Sequence, residues 1–119
     1  MAKGDDIQER LIDFAVSIIQ FTTKLPKSSA GKHIADQLLR SGTSPAPNYA
    51  EARSAESPND FIHKLKIALK ELNETKVWLQ IITRSQMVPF EESIDLQKEG
   101  DELCRIMSAS VKTAIKRRK

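Results

Sequence analysis

The run from Ser57 to Ile82, SPNDFIHKLKIALKELNETKVWLQII, writes a long amphipathic helix together with its own start signal. Ser57 is placed to cap it, Pro58 suits the first helical position, where no N–H is needed, and Asp60 brings a carboxylate to the positive end of the helix dipole. From there Phe61, Leu65, Ala68, Leu72, Thr75, Leu79 and Ile82 recur at alternating steps of four and three, the spacing that holds one stripe against neighbouring helices. Ile62, Ile67, Leu69, Val77, Trp78 and Ile81 fall off that stripe. A second apolar flank exceeds what one intramolecular core covers, so the pattern predicts self-association.

Three more helices flank this one. The first is predicted over about residues 5–25, with Ile7, Leu11, Phe14, Ile18, Phe21 and Leu25 on one stripe and Ile12, Val16 and Ile19 on an adjacent one. Asp5, Asp6 and Glu9 suit its N-terminus, and Pro26 stops it. The second spans about residues 28–55, where Ile34, Ala35, Leu38 and Leu39 are amphipathic before SGTSPAPN intervenes. Each internal proline costs ~3 kcal/mol in a straight helix, so a kink is expected near Gly42 to Pro47, with Ser and Thr hydroxyls bonding local carbonyls. The Ser57 helix covers about 58–84. QMVPF then connects it to a fourth helix over about 91–117, opened by Glu91, Glu92 and Asp95 and apolar at Leu96, Leu103, Ile106, Met107, Val111, Ala114 and Ile115. Short connections make neighbours antiparallel, so residues 1–119 are expected to form one all-α domain, an up-down-up-down four-helix bundle.

Groups that could carry catalysis do not converge in this chain. His33 and His63 fall on different helices, without the Glu-x-x-His spacing of a bundle metal site. Cys104 is a single cysteine on an apolar stretch, read as a core residue. Four glycines leave little to build a phosphate-cradling loop. The expectation is a non-enzyme with no metal, no cofactor and no small-molecule substrate. Asn48, Glu51 and Glu71 are read as a structural polar network, with Asn48 and Glu51 tying the bent second helix to a neighbour. MAKGDDIQER has no apolar signal core, and no window nears the roughly 20 apolar residues of a membrane span. A cytoplasmic protein with no membrane partner is expected.

Charge is unevenly placed. The formal net charge is +3, yet five of the nineteen basic residues, Lys112, Lys116, Arg117, Arg118 and Lys119, fall within the last eight positions, leaving 14 basic against 16 acidic residues elsewhere. This tail either engages phosphate backbones through counterion release or is a solubilising helix end whose cations complement the dipole. Lys64, Lys66 and Lys70 supply a second candidate set on the third helix, interleaved with Glu71 and Glu74.

The central half of the chain also carries a family likeness. LLRSGTSPAPNYAE (38–51) and SPNDFIHKLKIALKELNET (57–75) supply Arg40, Ser41, Ser44, Asn48, Ala50, Glu51, Phe61, Ala68, Leu69, Glu71, Leu72 and Glu74. This pattern resembles the bacterial four-helix bundle family named after proteins encoded in intervening sequences of 23S ribosomal RNA genes. The resemblance implies a cytosolic bundle assembling as a ring-like homopentamer, similar to the accessory protein of diversity-generating retroelements, which is implicated in binding nucleic acid and a reverse transcriptase. A homo-oligomeric scaffold or weak, electrostatic RNA- or DNA-binding module is therefore expected. The alternative is a protein-binding adaptor with no nucleic-acid role.

Overall fold

The computed structural model describes residues 4–118, and they are helical throughout apart from short turns. Its elements are α1 (Asp5–Thr22), α2 (Ser29–Thr43), α3 (Pro45–Arg53), α4 (Pro58–Arg84) and α5 (Phe90–Arg118). They form four rods, because α2 and α3 are the two halves of one bent rod. Each rod packs on its neighbours in sequence and α5 closes back onto α1; among the described residues the backbone of α1 does not come close to that of α4, nor that of α5 to α2 or α3. This is an antiparallel four-helix bundle with α1 and α4 at opposite corners.

The helix starts follow local chemistry. The Ser57 hydroxyl accepts from the Asp60 N–H at 3.1 Å, and the Ser28 hydroxyl accepts from the Gly31 N–H at 3.1 Å. The first helix ends at Thr22, earlier than the expected residue 25, because Lys24 and Leu25 bond back three residues to Phe21 and Thr22 (3.0 and 3.2 Å) and tighten the last turn ahead of Pro26. The second rod breaks at Ser44, which keeps right-handed helical angles (φ −75°, ψ −36°), so the path bends without unravelling. Pro45 and Pro47 lack the N–H groups that a straight helix would need there. Thr43 Oγ1 donates to Leu39 O at 2.6 Å, and Asn48 donates its side-chain amide to both Ser44 O (3.0 Å) and Ser44 Oγ (2.9 Å).

The core runs along the bundle axis. α1 contributes Leu11, Phe14, Ile18 and Phe21, α2 contributes Ile34 and Leu38, α4 contributes Leu65, Leu72, Leu79 and Ile82, and α5 contributes Leu103, Met107 and Val111. Each fully buried large aliphatic side chain contributes about 1.5–3 kcal/mol relative to exposure. At the start of α4 the buried position is Ile62, while Phe61, expected on the stripe, is half-buried at the edge of an open cavity. The cause lies in helix length. At 1.5 Å per residue α5 is about 43 Å long and α1 only about 27 Å, so the far end of α5 outruns its partners.

Candidate nucleic-acid interface

Three contacts define one antiparallel register between α4 and α5. Lys76 pairs with Asp101 at 3.0 Å, Cys104 lies 3.5 Å from Asn73 Oδ1, and Arg118 Nη1 donates to Asn59 Oδ1 at 3.0 Å. In this register Lys66 stands level with Lys112, and Lys70 about one turn further along. Lys66 and Lys70 share the α4 stripe of Asn59 and Asn73, at helical spacings of seven and three. On α5, Asp101, Arg105, Lys112 and Lys116 recur at steps of four, seven and four, so the last three continue the row that meets α4. All five cations are exposed. The sequence alone did not single out Arg105; only the register of two helices distant in sequence brings it to this edge.

The other candidate cations divide. Lys64 lies on a different side of α4 and donates to Glu51 Oε1 at 2.8 Å; that carboxylate raises the lysine's pKa, holding it charged, and offsets the charge locally, so Lys64 is not part of the basic edge. Arg117 and Arg118 are exposed at the end of α5, where Arg118 also ties that end to the first turn of α4. Lys119 lies outside the described residues.

Asn48, Glu51 and Glu71 do not form one network. Asn48 bonds within its own rod at the Ser44 break rather than to a neighbour, and Glu51 makes the exposed pair with Lys64. Glu71 accepts from Arg40 Nη1 at 3.2 Å, and Glu74 accepts from both Arg40 Nη2 and Trp78 Nε1. One guanidinium thus offsets two carboxylates in the groove between α2 and α4. The His33 ring meets Trp78 edge-on at 6.2 Å between centroids. Among the described residues no group of three or more His, Cys, Asp or Glu side chains is close enough to hold a metal ion, and no helix is long and apolar enough to cross a membrane.

Two exposed apolar patches lie elsewhere. Ile12, Val16 and Ile19 form a stripe on α1, and Leu39 joins them from α2, since it lies three residues before Gly42, whose backbone rests on Ile18. Val77 and Ile81, 53% and 39% exposed, form a second patch on α4, at the opposite corner. The exposed ridge of Lys32, Asp36 and Arg40 on α2 lies between them.

No curated protein matches the chain. Among solved structures it resembles a protein of unknown function from the S23 ribosomal protein family of Bacteroides thetaiotaomicron VPI-5482. The two are 34% identical, with a TM-score of 0.83, over 89% of this chain and 98% of that one. The model of the 23S rRNA-intervening sequence proteins matches residues 5–109, nearly the whole bundle including the break at Ser44, and the chain belongs to that family.

Proposed function

We propose that this protein is a non-enzymatic cytoplasmic homo-oligomer, a ring of five subunits as the family likeness implies, that binds RNA or DNA electrostatically along the α4–α5 edge. The observation that carries the nucleic-acid reading is the register that lines up Lys66 and Lys70 with Arg105, Lys112 and Lys116. Within that row the nearest carboxylate, Asp101, is already matched by Lys76. Such a row suits a phosphate backbone and carries no base-reading geometry of its own, so its binding is tolerant of sequence. The two unlike apolar patches support a heterologous contact, patch to opposite patch, which closes into a ring when the rotation per subunit allows. The adaptor reading is favoured instead if these patches receive a different protein.

Binding to a mixed RNA, followed by anisotropy across a salt series, tests this reading. Replacing Lys66, Lys70 and Lys112 with alanine should lower the slope of log affinity against log salt by ~0.7–0.9 per lost contact in each subunit engaged. An unchanged slope, or no affinity in the parent protein, overturns the reading.

A further inference from the structure

We infer that the open cavity at the end of the bundle takes an unpaired nucleotide of a single-stranded RNA or DNA, an inference that rests on the nucleic-acid reading and adds to it a discrimination against duplex. The cavity, about 1010 Å³, lies between the start of α1, the end of α3, the start of α4 and the last turns of α5. That is the upper end of the range for ligand sites, roughly 300–1,000 Å³. Ile7, Phe61 and Ile106 give it apolar walls, and Arg117 and Arg118 stand at it beside one lining carboxylate, Glu56, while the third lining arginine, Arg53, is paired with Asp5 at 2.6 Å.

Tyr49 decides what chemistry fits. Its side chain is only 6% exposed and lines the cavity, and its hydroxyl, without a hydrogen-bond partner among the described residues, is open to solvent there rather than sealed in. The hydroxyl sits beside Gly4, where an added Cβ would come within 2.8 Å of it. A phenol both donates and accepts, so a ligand that displaces water from this corner must bring a polar edge to it. A bare phosphate would leave the apolar walls wet, and an alkyl chain would leave the phenol unpaired. A nucleobase satisfies both: its faces lie against Phe61 and the aliphatic walls, its edge reaches Tyr49, and its phosphate stays with Arg117 and Arg118. The basic edge ends at Lys116, and the next residue, Arg117, lines the cavity, so a strand whose phosphates follow that edge arrives at the cavity mouth. In a duplex the bases are stacked inward and cannot enter.

The test compares a labelled single-stranded oligonucleotide, as RNA and as DNA, with the duplex of the same sequence at one salt concentration, using the full chain. Single strand should bind roughly tenfold tighter than duplex. Ala109→Trp, which fills an exposed wall of the cavity without changing charge, should bring single-strand affinity down to the duplex level with the salt slope kept. Tyr49→Phe should weaken single-strand binding severalfold while leaving the melting temperature unchanged, since the hydroxyl has no partner among the described residues to lose. Preference shown by RNA alone or by both chemistries supports the inference and assigns the source. Equal affinity for single strand and duplex, or a preference untouched by Ala109→Trp, overturns the cavity and leaves the basic edge standing; no affinity for either form overturns both.

Discussion

The hydroxyls of Ser41 on α2 and Thr75 on α4 lie 2.9 Å apart, both side chains fully buried between their helices. Each also reaches a carbonyl of its own helix, Thr75 Oγ1 at 2.8 Å from Glu71 O and Ser41 Oγ at 3.4 Å from Leu38 O. Two buried hydroxyls thus satisfy one another in an otherwise aliphatic layer, three residues before the break at Ser44. Thr75→Val removes one partner and should cost about 1–2 kcal/mol in chemical denaturation, whereas adding Ser41→Ala should recover part of that loss, because no buried hydroxyl is then stranded. Strictly additive losses would show that the pair is not coupled.

Gly42 sets the distance between α1 and α2. A Cβ there would lie 2.8 Å from both Cγ1 and Cγ2 of Ile18, a side chain with no exposure and nowhere to retreat. Gly42→Ala should therefore destabilise by about 1–3 kcal/mol despite its better helix propensity. In the Ile18→Ala background the same substitution should cost far less, a non-additivity that thermal melts of the four proteins will reveal.

Gln86 ends α4 with φ +59°, in the left-handed region that glycine adopts freely. The Met87 N–H reaches back to Ile82 O at 3.2 Å across it, closing the helix end in the manner of a Schellman motif. Gln86→Gly should raise stability by about 0.5–1 kcal/mol, as relief of the left-handed strain exceeds the added freedom of the unfolded chain. A lower denaturation midpoint would contradict this.

A heterologous ring has a distinctive mixing behaviour. Val16→Glu spoils the α1 patch and Ile81→Glu the α4 patch, so each variant alone should be monomeric in light scattering. Mixed, each still owns one intact and complementary patch, and the pair should form a dimer that goes no further. An interface joining like patches would instead leave one or both variants able to self-associate.

Alkaline pH should weaken the fold through two groups. Burial pushes the Cys104 thiol above its ordinary value, against the opposing Lys76 cation, and pushes the Tyr49 phenol up against Arg53. Both hold their protons more tightly folded than unfolded. The stability they contribute is fully present below the unfolded values, about 8.5 for the thiol and about 10 for the phenol, and is lost as pH rises through the raised folded ones. Denaturation midpoints measured from neutral to about pH 11 should fall, and fall less steeply in a Cys104→Ala, Tyr49→Phe double variant.

Much of the bundle was legible from periodicity. α4 begins at Pro58 and ends at Arg84 as its capping residues and apolar spacing require, and the prolines after Gly42 placed the break that parts α2 from α3. The first helix ran three residues short because the turn before Pro26 is closed by local three-residue hydrogen bonds, which an apolar stripe does not register. Phe61 and Ile62 could not be ranked from spacing, since adjacent residues at a helix start differ only in which neighbour stands opposite. Here Ile62 is buried, while Phe61 packs against the core only in part, at the wall of the cavity.

The candidate site divides along the same line. A sequence determines what is local: which residues are apolar at helical spacing, where caps and prolines begin and interrupt a helix, and that Lys112 to Arg118 crowd one terminus. Tertiary structure alone decided that Lys64 is matched by Glu51, that Arg105 joins Lys66, Lys70 and Lys112 on one edge, and that Tyr49 turns its hydroxyl toward Gly4 at the cavity. The physical reason is that charge pairing and cavity shape depend on which residues of different helices stand level. That is set by the packed register of α4 against α5 and by the unequal lengths of α1 and α5, quantities that exist only once the helices have met.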